Sequence, residues 1–507
     1  MTDPVHLELL PLGQTLTVER GASLQDALFT QGVEFPCGGR GRCKGCRIRV
    51  LAGSLPVTAD DHRLLTPAQI ADGWRLACRA QAKGDLRIEL AQWEAAILAD
   101  DSTFAFRPED GLGIAIDLGT TTVVAQLLDL RTGHVLAVQT ALNPQAQHGA
   151  DVMSRVEFAT TGGGRRILTQ LARDMTGRMV ADLFAATNRA ARELRNVVVV
   201  GNTVMHHLFC DIDLEPLAHH PFEPERDGLE VFAAQELGWH LGGSATVRFL
   251  PCLGGFVGSD ILAGVLASQL HQRESLTALI DLGTNGEIVV GNRARLLCAS
   301  TAAGPAFEGA RISMGMRAAT GAISEVHLRG SELRCHVLGG GPPRGLCGSG
   351  LVDAAAAGLE LQAILPSGRI ADGTPLRLAS PVTLAQGDVR ELQLAKGAIA
   401  AGLRLLLRQW GARPADLTCI YLAGAFGNYI NRASARRIGL LDFPPEKVQP
   451  AGNTALLGAK LALFGWHEQN GAFSEIRRRI RHVALNLDPE FEEVFIDEMR
   501  FPAHANP

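Results

Sequence analysis

Four cysteines carry the first recognisable chemistry in the sequence. Cys37, Cys43 and Cys46 lie in CGGRGRCKGC at a C-x5-C-x2-C spacing, and Cys78, in LACRA, follows after a further 31 residues. Thiolates so arranged can give two sulfur ligands to each iron of a [2Fe-2S] cluster. Gly38, Gly39, Gly41 and Gly45 let the backbone wrap closely around sulfide, because they carry no side chain. A zinc site with four cysteine ligands ordinarily uses two short C-x2-C knuckles; only one is present, so the three-plus-one pattern favours the cluster. Arg40, Arg42, Lys44, Arg47 and Arg49 crowd the loop. Such a basic rim suits either plain solvation or docking of an acidic redox partner.

A second kind of chemistry begins at Asp117. GIAIDLGTTTVVAQLLDL (113–130) reads as a strand ending in an acid, a Gly-Thr-Thr turn and a returning strand. Such a hairpin brings backbone N–H groups and hydroxyls against phosphates, with the carboxylate facing a metal ion or its waters. LIDLGTNGEIVVG (279–291) repeats the pattern 164 residues later at Asp281. One copy alone reads equally well as an ordinary hairpin, whereas two imply a duplicated domain with nucleotide between its halves. No G-x-x-x-x-G-K-[ST] loop occurs in the chain.

The elements that position these groups follow in order. Residues 5–18 suggest a hairpin turning at Pro11-Leu12-Gly13, and Ser23 caps a helix through LQDALFTQ that stops at Gly32. Strands follow at 47–51 and 87–90, and residues 93–111 lose periodicity and read as a linker. VVVVGNTVMHHLF (197–209) and PCLGGFVGSDILAGVLA (251–267) each give a glycine-rich turn entering a helix. TAAGPAFEGARIS (301–313) carries a lone acid, Glu308, and CGSGLVDAAAAGLEL (347–361) begins a helix. IYLAGAFGNYIN (420–431) reads as a strand ending in a Gly-Ala-Phe-Gly turn, and GNTALLGAKLALF (452–464) as a closing helix.

Bulk properties limit the alternatives. A chain of 507 residues is too long for one core, and its net charge of −5 argues against a general nucleic-acid binder. No uninterrupted apolar run of membrane-spanning length and no secretory signal pattern are found, so a cytoplasmic, non-membrane protein is expected. Cys210, Cys252, Cys298, Cys335, Cys347 and Cys419 lack ligand spacing and read as small buried apolar residues. His206, His207, His219 and His220 suggest a metal site, but adjacent residues do not share a helix face, so structural roles are expected.

The cysteine stretch resembles the [2Fe-2S] ferredoxins, with a five-residue first gap where the plant type has four. DLGTT at 117, DLGTN at 281 and LAGAFG at 422 resemble the two phosphate motifs and the adenosine motif of the ASKHA superfamily of acetate and sugar kinases, heat-shock chaperones and actin. Joined in one chain, and with GNTVMHHL, AGPAFEGA, CGSGL and FEEVFIDEMRFP, they resemble the ATP-dependent reductive activators of corrinoid proteins. One departure is that the interval from Cys78 to Asp117 leaves no room for the extra domain some members carry there.

This resemblance implies an α+β β-grasp ferredoxin domain over 1–92, a linker over 93–111 and an α/β duplicated ASKHA ATPase domain over 112–507, with halves at about 112–277 and 278–507. It implies a [2Fe-2S] cluster on Cys37, Cys43, Cys46 and Cys78, and Mg2+-ATP near Asp117 and Asp281. Gly119, Thr120, Thr121, Gly283, Thr284 and Asn285 would cradle phosphates, and Gly424, Ala425, Phe426 and Gly427 would line the adenosine pocket. Glu308 would hold ribose or base. Ser349 would offer an oxygen to the corrinoid or, read locally, would cap a helix. The implied activity is ATP-dependent reduction of Co(II) to Co(I) in a methyltransferase system, with a corrinoid protein as partner, an upstream electron donor, and possible pairing into a homodimer. Alternatives are a small-molecule kinase with a regulatory cluster, and a redox-sensing binding protein. The activator of 2-hydroxyacyl-CoA dehydratases is a closer rival, but it lacks a ferredoxin domain.

Overall fold

The computed structural model describes residues 4–10, 14–29, 46–90 and 108–503, apart from Ala150, Asn188, Gly242, Thr284, Ala310, Arg317, Ala319, Thr320, Gly339 and Gly340. Alternating burial of Val5, Leu7 and Leu9 makes β1 (Pro4–Leu10) the apolar spine of the N-terminal unit. It pairs antiparallel with β2 (Gln14–Glu19); the expected 11–13 turn lies outside the described residues. The helix α1 (Leu24–Phe29) follows, then β3 (Arg47–Ala52), α2 (Ala59–Leu64), α3 (Pro67–Ala71), β4 (Trp74–Leu76) and β5 (Leu86–Leu90). The sheet order β2-β1-β5-β3-β4, with β1 and β5 parallel, is a β-grasp. Two short helices not foreseen have local causes, since Thr58 with Asp61 and Thr66 with Gln69 form capping boxes.

The next unit comprises β6 (Leu112–Leu118), β7 (Thr122–Asp129), β8 (Val135–Leu142), α4 (Val152–Thr160), α5 (Gly164–Ala185), β9 (Leu194–Val200), α6 (Thr203–Cys210), α7 (Glu215–Ala218), β10 (Glu230–Ala233), β11 (Thr246–Phe249) and α8 (Ser259–Ala267). Its sheet runs β10-β11-β9-β6-β7-β8.

The last unit opens with β12 (Thr277–Leu282), β13 (Gly286–Gly291) and β14 (Leu296–Thr301). A small sheet of β15 (Ala322–Arg329), β16 (Glu332–Val337) and β17 (Gly345–Leu346) precedes α9 (Gly348–Glu360). A hairpin, β18 (Leu376–Ala379) with β19 (Val382–Leu384), leads into α10 (Gln386–Trp410), β20 (Cys419–Ala423), α11 (Gly424–Tyr429), α12 (Arg432–Arg437) and β21 (Val448–Gly452). Then come α13 (Thr454–Phe464), α14 (Trp466–Arg479), β22 (Ile480–His482) and α15 (Phe491–Met499). The main sheet order is β21-β20-β12-β13-β14-β22.

The duplication read from the two hairpins is visible in strand directions. In β11-β9-β6-β7-β8 and β21-β20-β12-β13-β14 the same pairs are parallel and the same pairs antiparallel. Asp117 therefore stands beside Val200 on β9, as Asp281 stands beside Ala423 on β20. Between the two sheets lie α8 and α13, which share one core with both. Ala115, Val198 and Val200 meet it from one side, Leu279, Val289 and Ala423 from the other.

The two connecting helices touch through small residues. A Cβ added at Gly458 would lie 2.1 Å from the Ala263 carbonyl oxygen, and one at Gly264 would lie 3.1 Å from Thr454 Oγ1. In an open helix, glycine to alanine gains about 1 kcal/mol of propensity. Here the overlap is with backbone, so the sign reverses: Gly458→Ala is expected to destabilise by about 1–3 kcal/mol. A lower urea midpoint at unchanged m-value would show it; a raised midpoint would contradict the close crossing.

Candidate functional site

The first phosphate hairpin is held from behind by side chains that consume its carbonyls. Asn143 Nδ2 donates to the Gly119 carbonyl at 2.9 Å, and the Arg155 guanidinium donates to the Thr120 carbonyl at 2.6 Å. The Asn143 amide N–H donates to Thr121 O at 2.9 Å. The turn's own N–H groups thus remain for an anion, the requirement of a phosphate cradle. Gly119 is needed sterically, since a Cβ there would lie 2.4 Å from Thr122 O. Asn202 Nδ2 donates to Thr120 Oγ1 at 2.8 Å, which leaves that hydroxyl's proton to donate elsewhere. Arg155 is fully buried, and desolvation lowers its pKa to about 10, so it stays charged at neutral pH.

Four carboxylates meet where the halves face each other. Burial raises the Asp117 pKa to about 6 against the opposing hydrogen bond from Asn453, whose Nδ2 donates to Oδ2 at 2.8 Å. Burial, then the charge of Asp117, raises Asp281 to about 7. Asp260, in the first turn of α8, is raised to about 8 by burial and then by Asp281. Glu287 lies directly across the β12–β13 ladder from Asp281; burial, then Asp260 and Asp281, push it well above the usual range. Like charges paired across a ladder destabilise it, and this cluster persists in spite of that cost. Among the described residues no three His, Cys, Asp or Glu side chains converge closely enough to hold an ion by themselves. That suits Mg2+, which keeps several waters and takes one or two carboxylates plus substrate phosphates.

The second hairpin is more open. Nothing lies within 3.4 Å of a Cβ built on Gly283, the nearest atom being Asn285 O at 3.7 Å. Gly424 leaves β20 with φ +80°, and a Cβ there would lie 2.6 Å from Asp281 Oδ1, so the glycine lets the adenosine motif press against this carboxylate. The Phe426 ring turns inward, stacking on Phe307 at 4.5 Å. Thr121 Oγ1 donates to Glu308 Oε2 at 3.4 Å, so Glu308 of the second half reaches the first phosphate hairpin.

At the cluster end, Cys46 and Cys78 are brought together by one strand pair. Arg47 stands opposite Leu76 in the β3–β4 ladder, and the Ala77 N–H donates to the Cys46 carbonyl at 3.0 Å. Asp61 pins this end: it is 1% exposed, its Oδ1 accepts the Leu76 N–H at 2.8 Å and its Oδ2 the Thr58 N–H at 2.7 Å. Cys37 and Cys43 lie outside the described residues, as do Arg40, Arg42 and Lys44. Two thiols at one ladder end fit half of a four-thiolate site. Of the basic rim, Arg47 lies over Trp74 and Arg49 pairs with Asp72.

Comparisons with known proteins bear on this geometry. Residues 7–83 match the 2Fe-2S iron-sulfur cluster binding domain, residues 112–273 the RACo middle region, and residues 275–507 the C-terminal ASKHA domain of RACo. A corrinoid activation enzyme, RamQ of Eubacterium limosum, is 35% identical over 420 residues, covering 77% of this chain and 70% of that protein. The chain belongs to the RACo family, the reductive activators of corrinoid proteins. A [Co(II) methylated amine-specific corrinoid protein] reductase of Methanosarcina barkeri is 27% identical over 429 residues, 78% of each chain. The solved structure of a reductive activator for a corrinoid, iron-sulfur protein superposes with TM-score 0.71 at 26% identity, over 98% of both chains. The expected fold, a [2Fe-2S] ferredoxin unit joined to an ASKHA unit, is that of the RACo family.

The structure differs from local expectations at two places. The Gly-Ala-Phe-Gly segment is the opening of α11 and not a turn, because the left-handed Gly424 redirects the chain and Ala423 caps it. Ser349 is not the cap of α9; Cys347 is, and Ser349 sits in the first helical turn. Its hydroxyl donates to the Ser324 carbonyl at 2.9 Å and is 8% exposed by residue, apart from the carboxylate cluster. Thr284 lies outside the described residues. His206 and His207 are fully buried; His206 Nε2 donates to the Gly228 carbonyl at 3.0 Å, and desolvation holds its pKa near 3, which suits structural roles.

Asp260, Glu287, Asn202, Asn453, Arg155 and Asp61 were missed. A usable signal was present: the tripeptide Gly-Asn-Thr occurs at 201–203 and 452–454, each time before a helix, and both asparagines reach the first phosphate hairpin.

A pH dependence follows from the raised carboxyls. Each is harder to ionise folded than unfolded, so its stabilising contribution is complete below about pH 4. That contribution is lost as pH rises through the folded values of about 6 to 8. The nucleotide-free protein should therefore lose melting temperature between about pH 4 and 8, and Asp260→Asn should flatten that slope. An equal slope in wild type and variant would contradict the coupling.

Proposed function

We propose that this chain uses ATP to drive an electron from its cluster onto the Co(II) of a corrinoid protein, regenerating Co(I) for a methyltransferase system. The observation that carries the reading is a single chain holding both a thiolate ladder end and a cleft of opposed phosphate hairpins, in a family whose relatives are named for corrinoid activation.

When bound, the cluster supplies single electrons at roughly −400 mV, the plant-ferredoxin range, and Mg2+-ATP supplies the energy that offsets an uphill transfer. A deficit of 100 mV costs about 2.3 kcal/mol per electron, within the usual range of coupling between sites. Asp117 and Asp281 would hold Mg2+ through its waters and could orient the water that attacks the phosphate. Gly119, Thr120, Thr121, Gly283, Thr284 and Asn285 would hold phosphate oxygens, and Gly424, Ala425, Phe426 and Gly427 would line the adenosine pocket. Glu308, already at Thr121, holds Thr121 or the ribose according to occupancy. Asp260 and Glu287 add negative charge that favours a cation in the cleft. Ser349 serves as an oxygen donor to cobalt once its bond to Ser324 is released.

The same reading places the protein in the cytoplasm with a separate reductant for the cluster and allows a homodimer through its helices. No helix among the described residues is long and apolar enough to cross a membrane.

Anaerobic visible spectroscopy of a Co(II) corrinoid protein, mixed with this protein and a reductant, tests the proposal. Co(I) is expected only when Mg2+-ATP is added, with Asp117→Asn or Asp281→Asn slowing its appearance by about 100-fold or more. Hydrolysis of ATP with no Co(I) across several corrinoid partners would overturn it, and phosphorylation of a sugar or acid would replace it with a kinase.

A further inference from the structure

The two connecting helices cross between the halves in a reciprocal way. α8 belongs to the first half, yet its Asp260 is raised, after burial, by the charge of Asp281 of the second. α13 follows β21 in the second half, yet its cap, Asn453, reaches Asp117 on β6 of the first. The two contacts differ in kind: one opposes a carboxylate with another, and the other gives a carboxylate a donor.

Asn453 uses both ends of its amide. Oδ1 accepts the Leu456 N–H at 2.8 Å, which is the capping bond, and Nδ2 donates to Asp117 Oδ2 at 2.8 Å. Capping needs only an oxygen, and serine or threonine supplies one. The amide nitrogen is therefore surplus to the helix and committed to Asp117. Asn202 repeats the arrangement, capping α6 through the Met205 N–H at 3.0 Å while Nδ2 donates to Thr120 Oγ1 at 2.8 Å. Two helix caps thus converge on the five residues 117–121, but only Asn453 comes from the opposite half.

We propose that Asn453 is a positioning residue for nucleotide turnover: it fixes the Asp117 carboxylate from across the cleft and makes its placement depend on where α13 lies. A carboxylate with one oxygen held by a donor keeps one orientation, leaving Oδ1 for a metal-bound water. Because α13 packs on α8 through Gly458 and Gly264, a sliding of one helix on the other carries Asn453 with it. Productive Mg2+-phosphate geometry then assembles in one arrangement of the halves only. The inference rests on the reading of Asp117 as a phosphate-site carboxylate.

Asn453→Ser and Asn453→Thr keep a capping oxygen and lose the reach to Asp117. In the full-length protein, ADP binding is followed by calorimetry at increasing Mg2+, alongside ATP hydrolysis and thermal melting. Expected are a melting temperature close to wild type, a Mg2+ requirement for ADP binding raised about 10–100-fold, and a kcat lowered by a similar factor with KM for ATP little changed. Wild-type Mg2+ dependence and kcat in both variants would overturn the proposal, as would losses that merely follow a lowered melting temperature. If wild type binds Mg2+-ADP without hydrolysing ATP, the proposed ATPase falls while the Mg2+ titration still decides the role of Asn453. A wild type that binds no Mg2+-ADP overturns both.

Discussion

Repulsion among carboxylates facing one another across a cleft is the constraint on which the rest of this structure depends. Asp117, Asp281, Asp260 and Glu287 are held near one another at low dielectric, each shifted upward by burial and three of them also by a neighbour's charge. Such a cluster is unfavourable alone and favourable around a cation, because an ion reverses the local logic of ionisation. Under the proposed function, a Mg2+-nucleotide would bind with an energy that depends on how close the halves stand. That dependence is what a machine needs if it is to convert nucleotide binding into movement.

The remaining architecture transmits or resists this force. The helices α8 and α13 lie between the two sheets, share one core with both and cross through small residues. Cross-half pairs at Glu223–His482 and Asp227–Arg477 tie the same halves together away from the carboxylates. The ferredoxin unit rests on the first half through Val138, Val124 and Val135, and its Asp26 meets His336 on β16 of the second at 3.7 Å. Under the proposed function, a module in contact with both halves would sense their relative position.

Much of this was legible in the sequence, for physical reasons. The strand, acid, Gly-Thr turn and returning strand of residues 113–130 and their repeat at 279–291 announced two β-hairpins. Cysteine spacing announced the cluster domain, in agreement with the match of residues 7–83 to a 2Fe-2S domain. What remained hidden depends on tertiary approach. Asp260 reads as an ordinary first-turn acid of α8, and Glu287 as a solvent-facing residue of a hairpin strand; only packing of the halves makes them one cluster. Arg155 looks like a surface residue of a polar helix, and its burial arises because the Thr120 carbonyl needs a donor from behind. Ser349 was read locally as a cap because it stands just before LVDAAAA, whereas the extended residue before α9 is Cys347.

The central claim is that nucleotide-bound Mg2+ is drawn in by carboxyls that are partly protonated in the open cleft. Calorimetric titration of Mg2+-ADP into the protein, in buffers of differing ionisation enthalpy, measures that directly. Release of about one proton or more per nucleotide is expected at pH 7, falling toward zero near pH 9, because bound metal requires deprotonated ligands. Equal heats in every buffer at pH 7 would mean that the four carboxyls do not share the ion, and the proposed link between cleft and movement would be lost.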